Sequence, residues 1–176
     1  DHRPLRLRIG QEAIGKDFLN LFCYTGSATV HAALGGAQST TSIDLSNTYL
    51  NWLSKNLTAN KLEAGRNAVI REDCQSWLAR TPSRFDLVLL DPPSFSNSKA
   101  MAASFDVQRD HPQLVRLAMA VLRKEGRLYF SNNRRGFTLD GSLQEEFLCE
   151  DITAQTLSPD FQRNRKVHCC WSIRHN

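Results

Sequence analysis

Residues 85–95 read Phe-Asp-Leu-Val-Leu-Leu-Asp-Pro-Pro-Ser-Phe, and this run constrains the fold more than any other stretch of the chain. A near-continuous run of Leu and Val matches a strand covered on both faces, as in the centre of a parallel sheet. Two prolines then stop it, because proline lacks a backbone N–H and locks φ. Asp91, the stiff Pro92-Pro93 turn and the aromatic Phe95 are thereby held at the carboxyl end of a central strand. Open α/β sheets bind ligands at that end. The bland alternative is an ordinary strand-ending turn.

Strand and helix signals alternate along the rest of the chain. Residues 17–23 read as a first strand, stopped by Tyr24-Thr25-Gly26. Residues 27–34 read as a helix ended by Gly35-Gly36. Residues 38–43 are β-branched and read as a second strand, with Asp44 at its end. Leu50, Leu53 and Leu57 fall at helical spacing within residues 47–60, and Ser46 is placed to cap that helix. Residues 68–71 form a short third strand ending near Asp73, and residues 74–79 a short helix. After the fourth strand, residues 106–123 carry a helical apolar stripe, in which Pro112 implies a late start or a kink. Residues 127–131 give a fifth strand and 142–147 a weaker helix; 150–157 and 167–174 read as a closing strand pair. Five strand–helix repeats followed by that pair predict a doubly wound α/β sheet.

A chain of 176 residues, without linker, repeat or low-complexity tract, is one domain spanning 1–176. The opening residues lack an initiator Met and are already charged and patterned, so the domain reads as excised from a longer chain. No apolar run is long enough to span a bilayer, and no signal peptide opens the sequence. The five cysteines are odd in number, with no CxxC spacing and no paired His ligands. They argue against a disulfide framework and a zinc site, and for reduced thiols in a cytosolic protein. The net charge of +4 is compatible with a nucleic-acid partner without being diagnostic. Arg3, Arg6 and Arg8 cluster at the start, Arg134 and Arg135 follow an apolar run, and Arg163, Arg165 and Lys166 lie near the end.

Loops that follow neighbouring strands of a doubly wound sheet share one crevice. Four features would meet there. The loop from Phe22 to Ser27 contains Gly26, where a backbone can approach a ligand. Asp44 lies 18 residues beyond Gly26, a spacing that suits an acid clasping both ribose hydroxyls of a nucleoside. Asp73 is placed to accept from an adenine amine, and Asp91-Pro92-Pro93-Ser94-Phe95 is the candidate reaction site. Gly26 also reads as a plain turn, and Asp44 and Asp73 as helix caps. A dinucleotide would need G-x-G-x-x-G to seat its pyrophosphate, whereas this loop has one glycine. S-adenosylmethionine, with a ribose and an adenine but no phosphate, fits better.

These residues resemble the class I S-adenosylmethionine-dependent methyltransferases, with a doubly wound, mostly parallel, seven-stranded Rossmann-like sheet. More narrowly, the chain is similar to the RlmK-type C-terminal domains of bifunctional 23S rRNA guanine methyltransferases. The resemblance is carried by Asp1-His2-Arg3, by residues 15–22 running into 24–32, by residues 91–99 and 105–111, by Phe130-Ser131-Asn132-Asn133 and by Arg163-Asn164-Arg165. It implies an antiparallel last strand, guanine N7 of 23S rRNA as the acceptor, and an N-terminal RNA-binding half that makes N2-methylguanine. It places Phe22, Tyr24, Thr25, Gly26, Ser27, Asp44, Leu45, Asp73, Cys74 and Asp91 at the cofactor. Asp91, Pro92, Pro93 and Phe95 fall at the reacting base, and Arg3, Arg6, Asn133, Arg134, Arg135, Arg163 and Arg165 on the RNA. The usual acid and second glycine of the first loop are missing here, so its cofactor contacts would be backbone and aromatic.

Guanine N7 carries a free lone pair, so methylation there needs placement rather than a general base. The stiff prolines and a stacking face on Phe95 suit that task. Methylation of an exocyclic amine is the nearest alternative, although its enzymes place the aromatic directly after Pro-Pro, where Ser94 stands here. Methylation of cytosine C5 normally needs a cysteine nucleophile, and none follows Asp91-Pro92-Pro93. A dehydrogenase on the same architecture, or a non-catalytic RNA-binding module, are the readings of other classes.

Overall fold

The computed structural model describes residues 2–62, 64–96, 104–161 and 167–176. The strands among the described residues are β1 (Asp17–Leu21), β2 (Ser39–Asp44), β3 (Asn67–Arg71), β4 (Phe85–Leu90), β5 (Phe95–Ser96), β6 (Phe105–Asp106), β7 (Leu122–Asn132), β8 (Leu148–Asp151) and β9 (Cys169–Arg174). The helices are α1 (Arg3–Glu12), α2 (Ser27–Leu34), α3 (Asn47–Ala59), α4 (Cys74–Arg80), α5 (Val107–Ala120), α6 (Gly141–Glu146) and α7 (Thr153–Thr156). Seven strands make one sheet in the order β3-β2-β1-β4-β7-β9-β8. The first five are mutually parallel, and β9 is antiparallel to both its neighbours, so β8 at the edge points with the majority. The order reverses direction between β1 and β4, which opens a crevice at their carboxyl ends.

Helices cover both faces of the sheet, as the apolar run in β4 requires. Leu87 and Leu89 face one way with Phe18 and Tyr129, against Leu5 and Ile9 of α1 and Ala28 and Ala32 of α2. Val88 and Leu90 face the other way with Leu19, Leu21, Leu128 and Phe130, against Trp77 of α4 and Leu114, Val115 and Ala118 of α5. The period-2 alternation of a strand thus feeds two cores. Leu50, Leu53 and Leu57 of α3 close a third cluster with Cys23. Ser46 caps α3 through Tyr49 N–H, as its position in the sequence predicts.

Several boundaries differ from the sequence expectation. Helix α1 was not expected: its buried residues are only Leu5 and Ile9, and Pro4 sits in its first turn. It crosses α2 closely, since a Cβ on Gly35 would lie 1.9 Å from Gly10 O. Strand β7 begins at Leu122, not 127, because residues 123–126 bulge between the pairs Phe85↔Leu122 and Leu87↔Arg127. Arg123, expected at a helix end, instead bonds Asp17 at 2.9 Å and Asp86 at 2.5 Å. The strand expected at 150–157 stops at Asp151, where pairing with β9 ends, and Thr153–Thr156 turn into helix. Helix α5 starts before Pro112 and runs through it. The ring of His111 serves the backbone there, with Nδ1 2.9 Å from Val107 O and 3.1 Å from Gln108 O, the latter being the carbonyl that a proline four residues on cannot bond.

Candidate cofactor and base crevice

A cavity of about 950 Å³ opens at the carboxyl ends of β1, β2 and β4. Its walls bring together Phe22, Tyr24, Thr25, Ser27, Asp44, Leu45 and Cys74 with Asp91, Pro92, Pro93 and Phe95, and also Arg6 and Asn133. Gly26, Asp73, Arg3, Arg134 and Arg135 are not on its wall. Arg163 and Arg165 lie outside the described residues.

The loop after β1 is held in an unusual backbone shape. Phe22, Tyr24 and Gly26 have φ of 55°, 51° and 72°. Two non-glycine residues in the left-handed region within three positions store strain, a feature that concentrates at functional sites. Surrounding bonds hold it in place. Phe22 N–H meets Cys74 Sγ at 3.3 Å, Cys23 N–H donates to Ile43 O at 3.0 Å, and Asn56 Nδ2 donates to Thr25 O at 2.8 Å. Gly26 is obligatory, because its Cβ would lie 1.9 Å from Leu53 Cδ1. The loop feeds α2, which has no side-chain cap, so its first N–H groups remain for a ligand or solvent.

Asp44 lies at the end of β2, where Oδ2 accepts from Tyr24 N–H at 3.0 Å and Oδ1 from Ser46 N–H at 2.8 Å. The carboxylate is therefore fixed in direction while each oxygen keeps acceptor capacity. Tyr24 and Tyr49 meet edge to face with ring centres 4.5 Å apart, forming an aromatic corner beside it. Asp73 caps α4, with Oδ1 accepting from both Ser76 N–H and Ser76 Oγ at 2.9 Å. The thiols of Cys23 and Cys74 are both pushed up by burial.

Asp91 ends β4 at the opposite end of the cavity. Its Oδ1 is sealed from solvent without a hydrogen-bond donor, and its Oδ2 lies 3.8 Å from His2 Nε2. Burial raises the Asp91 pKa, and the nearby His2 and Ser131 only partly offset it. His2 stacks on His168 at 4.5 Å, and burial and His2 press the His168 pKa down to about 4. Pro92 and Pro93 lead to Phe95, which is 56% exposed at the cavity mouth. The pairs Phe95↔Asp106 and Ser96↔Phe105 form a small ladder that pins this segment, and Val107 N–H donates to Ser94 O at 3.1 Å.

On the basic side, Arg134 forms an ion pair with Asp106 at 2.6 Å, and Arg135 is exposed. Arg3 pairs with Asp160. Asn133 donates through Nδ2 to Val167 O at 3.1 Å. Sequence reasoning missed His2, Asn20, Tyr49 and Arg71, all on the wall. Asn20 is legible in retrospect: a lone amide inside the apolar strand Asp17–Leu21, it bonds Thr29 Oγ1 at 2.9 Å. Tyr49 and Arg71 carry no comparable signal. Among the described residues, no cluster of three His, Cys, Asp or Glu side chains could hold a metal ion. No helix among them is long and apolar enough to cross a membrane.

A family model described as S-adenosylmethionine-dependent methyltransferase matches residues 1–164. A curated relative from Chromohalobacter salexigens, named ribosomal RNA large subunit methyltransferase K/L, is 56% identical over 175 residues, covering 99% of this chain and 24% of its own length. A protein of the same name from Pseudomonas aeruginosa is 56% identical over 173 residues, covering 98% of this chain and 24% of the relative. The chain thus spans about a quarter of the curated relatives it matches. Among solved structures, SMU.776 complexed with SAH superimposes with a TM-score of 0.79 at 25% identity, covering 98% of this chain and 49% of that one. The Thermus thermophilus 16S rRNA N2 G1207 methyltransferase, in complex with AdoMet and guanosine, gives 0.67 at 21% identity, with 98% and 41% covered, a likeness of fold. The strained single-glycine loop, the Asp44 carboxylate and the orphaned Asp91 oxygen fit a nucleoside joined to a charged amino-acid tail. The chain belongs to the S-adenosylmethionine-dependent methyltransferases, and S-adenosylmethionine is its cofactor.

Proposed function

We propose that the chain methylates ribosomal RNA of the large subunit, with guanine N7 of 23S rRNA as the acceptor. The observation that carries this reading is the near-complete, 56% identical match to relatives named for large-subunit rRNA methylation. The bound cofactor supplies an electrophilic methyl group on a sulfonium. Asp44 clasps the ribose, and Phe22, Tyr24, Thr25, Gly26, Ser27, Leu45 and Cys74 shape the nucleoside's bed. Asp73 holds the start of α4 in place behind that bed. Pro92 and Pro93 form a rigid wall at the reacting end, and the exposed Phe95 offers its face to the target base.

N7 needs no deprotonation, so the residues' work is alignment and exclusion of water. Covalent chemistry on cytosine C5 is disfavoured, because the two thiols nearest the crevice are buried and held protonated. Asn133 and Arg135, together with Arg163 and Arg165, bind the RNA backbone, and Arg3 and Arg134 join them when their bonds to Asp160 and Asp106 open. We assign to the natural protein an N-terminal half that presents the RNA, within the length of its relatives that this chain does not cover, and we place the protein in the cytoplasm.

The test is nucleoside mass spectrometry on unmodified 23S rRNA treated with this chain and isotopically labelled S-adenosylmethionine. Labelled 7-methylguanosine is expected. A different labelled nucleoside would keep the methyl transfer and overturn the N7 assignment. No label, with S-adenosylhomocysteine bound, would remove independent activity and favour the non-catalytic module.

A further inference from the structure

The ladder that carries Phe95 is slight among the described residues: it consists of Phe95↔Asp106 and Ser96↔Phe105. A two-stranded ribbon is at best marginally stable by itself in water. Its β5 side is exposed at Phe95 and gains little from burial. Its β6 side is anchored. Phe105 is buried in the main core, Asp106 N–H donates to Asp110 Oδ2 at 2.8 Å, and Arg109 holds Asp110 at 2.7 Å. The position of Phe95 is therefore set by the residue opposite it, Asp106.

Asp106 is held from two directions. Its Oδ1 caps α5, accepting from Gln108 N–H at 2.8 Å and Arg109 N–H at 3.3 Å, and it also accepts from Arg134 Nη1 at 2.6 Å. Arg134 belongs to the loop after β7, whose Asn133 lines the cavity. Its own N–H donates to Oδ1 of the fully buried Asn132 at 3.1 Å, which fastens its backbone to the central sheet. The Asp106 carboxylate is already fixed by its cap bonds, so this pair loses less side-chain entropy than an ordinary surface ion pair. Helix α5 has a separate tie, because the Gln108 amide exchanges two bonds with the backbone of Thr138 at 2.9 and 3.0 Å. Loss of Arg134 would thus loosen the ladder before it loosened the helix. We infer that Arg134 is a positioning residue: through Asp106 it locks the Phe95 ring at the cavity mouth, so that the face offered to the target base is preformed. This rests on the base-stacking reading of Phe95 given above. It gives Arg134 a role in the closed pair, beside the phosphate contact proposed for the open one. A ring that had to be ordered on binding would cost affinity and blur the alignment of N7 with the methyl group.

Amide hydrogen exchange and methyl-transfer kinetics on the 176-residue chain test it together. The Val107 amide donates to Ser94 O at 3.1 Å and so reports whether the Phe95 segment is attached. Arg134→Gln and Asp106→Asn, the latter keeping a cap acceptor, should each speed Val107 exchange by about 10-fold, the scale of one charge-assisted hydrogen bond, with β1 and β4 unchanged. The double variant should exchange no faster than either single one, and Arg134→Lys should restore part of the protection. With 23S rRNA at saturation, Arg134→Gln should lower kcat by about 10-fold and leave S-adenosylhomocysteine affinity intact, because a misplaced ring acts on the bound complex. Unchanged Val107 exchange would overturn the inference whatever the kinetics. Faster exchange with unchanged kcat would make the pair merely structural and overturn it too, as would a rise in KM alone, which assigns Arg134 to a phosphate. A wild-type chain that transfers no methyl, or Phe95→Ala with undiminished transfer, would instead remove the base-stacking reading itself.

Discussion

Replacing Gly26 with alanine strikes the crevice loop at its tightest point. The residue sits at φ +72°, and a Cβ there would lie 1.9 Å from Leu53 Cδ1, 2.9 Å from Cγ and 3.1 Å from Cβ. Leu53 is fully buried, so its side chain has no solvent to swing into. The left-handed conformation costs a non-glycine residue about 1–2 kcal/mol. Forcing an extra methyl into a filled core costs about 1–3 kcal/mol more. The expected loss is thus about 2–5 kcal/mol, or a fall in Tm of roughly 5–15 °C for a domain of this size. Thermal denaturation of Gly26→Ala, Leu53→Ala and the double variant separates the two parts. Leu53→Ala alone should cost about 2–5 kcal/mol through the cavity it leaves. In the double variant the clash is gone, so the combined loss should fall short of the sum by about 1–3 kcal/mol. Strict additivity, or a Gly26→Ala variant within about 0.5 kcal/mol of wild type, would refute the packing argument.

Asp91→Asn should raise Tm while weakening S-adenosylhomocysteine binding, because burial raises the Asp91 pKa and its charged form therefore strains the apo fold; a lowered Tm would contradict this. His111 is held below its ordinary pKa by burial, and its Nε2 accepts from Asp140 N–H at 3.0 Å. Its contribution to stability is therefore full above the unfolded value of about 6.5 and is lost as pH falls below it. His111→Gln should flatten the pH dependence of the urea midpoint between about pH 7 and 5, and an unchanged slope would remove His111 as a contributor. Arg135→Ala should spare cofactor affinity and lower the salt dependence of RNA binding by about one phosphate contact, which an unaltered salt slope in filter binding would disprove.

The sheet was legible because its signals are local. The apolar run of β4 and the helix from Ser27 to Leu34 fall where the sequence places them. So do the strand ends that carry Asp44 and Asp91, since a stop after a buried strand is written in consecutive residues. What was missed depends on distant partners. Helix α1 buries only Leu5 and Ile9, and its Gly10 meets α2 at Gly35, a contact between segments distant in sequence. That His2 and Arg6, the latter expected on the RNA, both line the cavity was hidden for the same reason. Arg123 reads as the end of a helix, yet residues 123–126 bulge from β7 while Arg123 bridges Asp17 and Asp86. Asp73 could be read as a cap or a ligand, and its cap bonds became evident only with the start of α4 in place.

The placement of β9 has a consequence for how the molecule breathes. Among the described residues strand β8 pairs only with β9, and β9 lies between it and β7. Opening of β9 therefore detaches both strands together, a sub-global event that leaves β1 to β4 paired. Amide protons of β8 and β9 should then exchange as one cooperative unit, well ahead of those of β1 and β4. The two sides of the crevice inherit different rigidity from this. The loops after β1, β2 and β4 rest on the strands expected to exchange slowest, whereas Asn133 follows β7 and is tied to Val167 just ahead of β9. On this reading the nucleoside rests on a still floor, while the rim proposed to face RNA opens on its own timescale.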